Sequence, residues 1–92
     1  MSEIHLRRLP WTQDGKDAFV TAGDGPVNQL ADQMEWQALA VAEDLATQAT
    51  RLARNMDVSA AEMRPVLALL AASVKDVVQV ARLRAERLDG QE

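Results

Sequence analysis

The stretch from Pro26 to Met56 carries an apolar repeat that limits what this chain can fold into more than any other feature. In rows of eleven, Leu30, Val41 and Leu52 fall into register, as do Met34, Leu45 and Met56, Val27, Ala38 and Ala49, and Ala31, Ala42 and Ala53. Eleven residues make almost three whole helical turns, so the repeat predicts one stripe along a nearly straight helix roughly 45 Å long. A rod of that length cannot shield its own stripe. The rest of the chain, or a second chain, has to cover it.

Ninety-two residues make one domain, near the size at which a single core just suffices. Hydrophobic residues are 48% of the chain and aromatics only 3%, with alanine supplying much of the apolar count. That balance suits close helix packing rather than a β-rich core. A net charge of −4 works against nonspecific nucleic-acid or anionic-membrane binding. There is no cysteine, so disulfides, thiolate metal sites and cysteine nucleophiles are excluded. With neither an apolar signal core nor a run long enough to span a bilayer, the expectation is a cytoplasmic protein with no membrane association.

Ahead of the rod, residues 1–25 read as a β-ribbon arm. Asp14-Gly15 is a strong two-residue hairpin turn. Centring the ribbon there sets Leu9 opposite Val20 and Trp11 opposite Ala18, on one face, with Pro10 and Phe19 on the other. Ile4 and Leu6 have the opposite parity, which predicts a break near Arg8. A two-stranded ribbon is marginal alone, so Leu9, Trp11, Phe19 and Val20 are expected to anchor it, either to its own helices or to a second copy. Pro26 suits a first helical position, and Ser59 with Glu62 forms a capping box. Residues 26–92 therefore read as an antiparallel helical hairpin, with helices over about 26–56 and 59–88. Pro65 predicts a kink, or a first turn set apart. The expected stripe of the second helix is Leu67, Leu70, Val74, Val77, Ala81 and Leu88. The same fold-back brings Asp32 and Glu35 toward Arg82, Arg84 and Arg87.

Two helices leave apolar residues over. Trp36, Leu39, Leu69, Val80 and Leu83 lie off the main stripes, and leaving each in water forgoes roughly 1.5–3 kcal/mol. The ribbon is expected to cover one patch, that around Trp36, and a second copy the surplus on the second helix, so that Trp36, Leu39, Leu69, Val80 and Leu83 are the expected contacts between chains. The resulting fold class is mainly α: an N-terminal β-hairpin followed by a long antiparallel helical hairpin, dimerising into a four-helix bundle. A monomer with the arm laid across both patches is the alternative.

Catalytic and metal signals are weak. His5 is the only histidine, and Glu43 and Asp44 diverge around their helix. Gly23-Asp24-Gly25 lacks the lysine of a phosphate cradle, and Asp14 to Asp17 lacks calcium-loop spacing. No enzyme activity, cofactor or metal is expected. Arg7, Arg8, Arg82, Arg84 and Arg87 are the candidate nucleic-acid contacts, against an acidic background.

The sequences Leu9-Pro10-Trp11-Thr12, Asp14-Gly15-Lys16, Phe19-Val20 and Leu30-Ala31-Asp32 with Glu35 resemble a group of small actinomycete proteins without an assigned activity. The resemblance covers the first third of the chain and implies no catalytic residue. The WxG-type helical hairpins place Trp-x-Gly in their interhelical turn, whereas this turn is Asn55-Met56-Asp57-Val58. The functional expectation is a non-catalytic homodimeric module that binds or regulates another protein. A DNA-associated regulator using the arginine clusters, and an accessory subunit or degenerate bundle enzyme, are the alternatives.

Overall fold

The computed structural model describes residues 4–89. Strands β1 (Leu6–Gln13) and β2 (Lys16–Thr21) form an antiparallel hairpin, followed by helices α1 (Pro26–Arg54) and α2 (Ala60–Asp89). The chain is therefore mainly helical with an N-terminal ribbon. Among the described residues no helix is long and apolar enough to cross a membrane.

Asp14 and Gly15 both take positive φ, 52° and 74°, as a two-residue turn between right-twisted strands requires. Thr12 pairs with Asp17 and Gln13 with Lys16, the register that the turn dictates. The break then falls between Arg8 and Thr12, so that Arg7 comes opposite Val20 and Arg8 opposite Phe19. Leu9, Pro10 and Trp11 thus face only Ala18 on the partner strand. Pro10, which has no N–H to give a ladder, sits inside this bulge. The expected pairings of Leu9 with Val20 and Trp11 with Ala18 are displaced. Leu9 and Ala18 are nevertheless buried, with Trp11 and Val20 packed against them. Phe19 is 54% exposed and does not anchor the ribbon.

Helix α1 begins with Pro26 and ends with Arg51 and Arg54 in its last turn. Ser59 caps α2: its Oγ accepts from the Glu62 N–H at 3.1 Å, and its own N–H donates to Glu62 Oε1 at 3.4 Å. The chain stays helical through Pro65 and sets no first turn apart. The intact capping box holds the turn that precedes the missing backbone bond.

The stripe that faces α2 is not the eleven-residue one. Along α1, Ala31, Glu35, Ala38, Ala42, Leu45, Ala49 and Leu52 are buried or half-buried at alternating steps of four and three, with buried Asn28 one step before them and half-buried Leu39 beside them. On α2, Met63, Val66, Leu70, Ser73, Val77, Val80, Arg84 and Arg87 follow the same alternation, and buried Leu83 and half-buried Gln79 lie off it, on the side that the ribbon covers. This is the 3.5-residue seam of two antiparallel helices wound gently about each other. Val27, Leu30, Met34 and Val41 flank it on α1 and are exposed, as are Leu67, Val74, Ala81 and Leu88 on α2. Size explains the sorting. A line of alanines lets α1 approach α2 closely, whereas Leu30, Met34 and Val41 at the seam would hold the axes apart.

The ribbon lies over the end of the hairpin where α1 begins and α2 finishes. Gln79 Nε2 approaches the Pro10 carbonyl at 3.5 Å, and Arg8 grips Glu86, so β1 crosses the part of α2 that holds Val80 and Leu83. Both are buried within the single chain, Leu83 to 1% exposure. This corrects two expectations: Val80 and Leu83 are core residues rather than contacts between chains, and the ribbon does not cover Trp36, which stays 67% exposed.

The outcome is an elongated molecule of 64 × 27 × 21 Å with a radius of gyration of 17.4 Å. A compact domain of this length would have a radius near 12 Å by the usual scaling, about 2.2·N^0.38.

Candidate functional site

Two features stand out, a buried ion cluster at the ribbon end and an open apolar cleft along the rest of the hairpin. The cluster is built on Glu35, which occupies a seam position between Ala31 and Ala38 and is 1% exposed. Arg87 meets it with two parallel bonds, Nη2 to Oε1 at 2.8 Å and Nη1 to Oε2 at 2.9 Å. Arg84 Nε approaches Oε1 at 3.4 Å, and Arg7 Nη2 approaches Oε2 at 3.3 Å. Arg7 points inward from β1 because it keeps the parity of Leu9. It also binds Asp32 at 2.8 Å and donates to the Asn28 carbonyl at 3.1 Å. Asn28 Nδ2 in turn donates to the Thr21 carbonyl, tying the start of α1 to β2.

Burial alone would push the Glu35 carboxyl up; the bonds and charges of Arg87 and Arg7 outweigh it and hold the group below the ordinary carboxylate range. The Arg87 guanidinium is raised by its bonds to Glu35, against the opposing effect of burial. A carboxylate kept ionised by Arg87 and Arg7 is poorly matched to proton transfer at neutral pH. Its chemistry is that of a fastener: ribbon, α1 and α2 all meet on one side chain. A second, more exposed clasp joins Arg8 and Glu86, with Nη2 to Oε2 at 2.7 Å and Nε to Oε1 at 3.0 Å. Its hydrogen bonds raise the Arg8 guanidinium and lower the Glu86 carboxyl.

These contacts decide where the candidate nucleic-acid residues lie. Arg7 is buried, Arg8 is bound to Glu86, and Arg84 and Arg87 converge on Glu35. Arg84 also lies over the Trp36 ring, 5.5 Å from its centroid. Arg82 alone of the five makes no ion pair among the described residues. Of the expected approach of Asp32 and Glu35 to Arg82, Arg84 and Arg87, Glu35 meets Arg84 and Arg87, Arg82 pairs with neither, and Asp32 binds Arg7. No group of three or more potential metal-ligating side chains occurs among the described residues. His5 lines a shallow pocket with Arg7, Glu86 and Arg87.

The cleft lies beyond the ribbon. Ala49, Leu52 and Ala53 meet Met63, Val66, Leu67 and Leu70 around a space of about 230 Å³. Next to it, Ala42 and Ala46 meet Leu70, Ser73, Val74, Val77 and Val78 around about 280 Å³. Leu70 belongs to both, so they form one continuous furrow between the helices. Its walls are apolar except for Ser73, whose buried Oγ has no hydrogen-bond partner. Val74 and Val78 also line a neighbouring pocket with Arg8, Lys75, Gln79 and Arg82. No ribbon residue lines the furrow itself.

Of the expected interface residues, Trp36 and Leu69 are exposed and Leu39 is half-buried. Leu69 lines neither cavity, because it points about 160° away from Leu67 around the helix axis. The residues that sequence reasoning missed are Glu35 as a buried group and Leu67, Val74 and Val78 as an outward face. A heptad reading of Ala31, Glu35, Ala38, Ala42, Leu45, Ala49 and Leu52 contains the signal for the first.

Comparison of the chain with protein-family models, with curated proteins and with solved structures returns no match.

Proposed function

We propose that this protein is a non-catalytic helical interaction module that works as a homodimer, with the furrow beyond the ribbon as its docking surface. One observation carries the reading: surface left without cover. The chain exposes 7313 Å², roughly 2,000 Å² more than a compact monomer of its 10.1 kDa would expose. A stable interface removes about 800 Å² from each partner, so the surplus is ample for one. Much of it is apolar: Leu67 is 62% exposed and Val74 60%. Contiguous patches of that kind mark binding sites on small proteins.

Pairing two hairpins across the furrow makes a four-helix bundle. The DNA-regulator reading loses support, because four of its five arginines are engaged with carboxylates.

Light scattering tests the reading. The wild type is expected to show twice the chain mass at micromolar concentration, and Val74→Asp, at the furrow wall, the mass of one chain. Leu69→Asp is expected to leave the dimer intact. A wild type that stays monomeric across that range overturns the proposal.

A further inference from the structure

The charges around the furrow specify how a second copy sits in it. Three side chains on the outer edge of α2, Arg64, Lys75 and Arg82, share one flank of the helix, and all are exposed. None makes a salt bridge among the described residues. On α1, the edge bordering the furrow runs through Leu39, Glu43 and Ala46, one helical turn apart. Glu43 lies between two apolar residues with no cation on its carboxylate among the described residues.

Along the hairpin, residues whose numbers sum to roughly 118 lie level, as for two antiparallel helices in fixed register. Glu35 with Arg84, Ala42 with Val77, and Leu52 with Val66 all follow this rule. By the same rule Glu43 is level with Lys75, and Trp36 with Arg82.

Two hairpins can close face to face about two kinds of twofold axis. An axis across the hairpin lays α2 on α2 and sets one basic edge against another. An axis along the hairpin lays α1 of each copy on α2 of the other, antiparallel, and keeps levels matched. We propose that the dimer uses the second arrangement, in which Lys75 of each chain meets Glu43 of the other and Arg82 lies beside the exposed ring of Trp36. The proposal rests on the homodimer reading and goes beyond it by fixing the partner helix and its register. Arg54 comes level with Arg64 in this arrangement, a like-charge approach that works against it and supplies a further test.

Charge reversal reads the register directly, because each contact occurs twice in the dimer. Dissociation constants come from dilution series followed by sedimentation velocity, with helical circular dichroism confirming that each exposed-site variant is folded. Lys75→Glu and Glu43→Lys are each expected to weaken the dimer about tenfold at low salt, the effect shrinking as salt rises. An equimolar mixture of the two variants is expected to regain wild-type affinity, since both contacts in the mixed dimer then pair opposite charges. Arg54→Glu is expected to tighten the dimer several-fold. If the wild type dimerises but the mixture is no tighter than either variant alone, or Arg54→Glu brings no gain, the register is wrong while the homodimer stands. If the wild type does not dimerise, both proposals fall together.

Discussion

The two ends of the hairpin are built from the same kind of helix and differ in what lies on top. At the ribbon end Leu9, Ala18, Ala31, Val80 and Leu83 are all buried, and Glu35 is sealed beneath three arginines. Between residues 39 and 78 the only buried residue is Ser73, although this half contains Leu45, Leu52, Leu67, Leu70, Val74 and Val77. Composition does not separate the two halves; a third layer does. Two helices in contact shield a narrow seam from water, and every apolar residue on the shoulders of that seam needs a further element. The ribbon is that element at one end. At the other, the proposed second copy takes its place.

The contrast breaks most sharply at Glu35. Glu35→Ala leaves Arg7 buried with Asp32 as its remaining carboxylate, and removes the group on which ribbon and both helices meet. The expected loss is about 3 kcal/mol or more, as for other buried pairs that lose one partner, measured by urea unfolding. The pH dependence follows from the same group. Its carboxyl is lowered in the fold, so the stabilisation is complete above the unfolded value, about 4.3, and is lost as pH falls through the lower folded value. The Glu86 carboxyl, also lowered, acts in the same direction. Acid is therefore expected to loosen the ribbon end below roughly pH 4, and Glu35→Gln to flatten that limb of the stability profile. An unaltered limb in Glu35→Gln would assign acid sensitivity to other carboxylates.

Next in size is a matched pair of leucines. Leu83→Ala empties a sealed site under β1, and about 2–4 kcal/mol is expected for a deletion of that kind. Leu67→Ala removes the same atoms from an open wall and should cost under about 1 kcal/mol at concentrations where the chain is monomeric. If the two cost the same in dilute solution, the open half is better covered than its exposure indicates. If the Leu67→Ala cost grows with protein concentration, the cover is a second chain.

Much of this architecture was legible in the residues. Asp14-Gly15 placed the turn, the parity of Leu6 against Leu9 announced the bulge, and Pro26, Ser59 and Glu62 marked where the helices start. The register of α1 on α2 was legible too, from the approach of Glu35 to Arg84 and Arg87. What could not be read was which stripe faces inward. Over α1 the repeats of seven and eleven share Ala31, Ala38, Ala42, Leu45, Ala49 and Leu52, and they part at Glu35 on one side and at Val27, Leu30, Met34, Val41 and Ala53 on the other. Counting residues as simply apolar favours the larger side chains. Close approach of two backbones favours the alanines and admits a glutamate that arginines can neutralise. The inward turn of Arg7 is of the same kind, since strand parity sets the direction and only the tertiary partners Asp32 and Glu35 make it tolerable.

The smallest expected effect sharpens the comparison from inside the open half. Ser73 sits on the seam opposite Ala42 and Ala46, and its buried Oγ has no partner. A buried hydroxyl without a hydrogen bond costs about 1–3 kcal/mol, and serine in a helix interior is also a weaker helix former than alanine. Ser73→Ala removes both penalties while leaving the contact with α1 as small as before. The expected result is a gain of about 1 kcal/mol in thermal or urea unfolding, measured at concentrations where the chain is monomeric. A gain accompanied by tighter dimerisation would show that the second copy also seals this wall of the furrow. A loss of stability would mean that the hydroxyl finds a partner on assembly, and that the open half is completed by a polar contact as well as an apolar one.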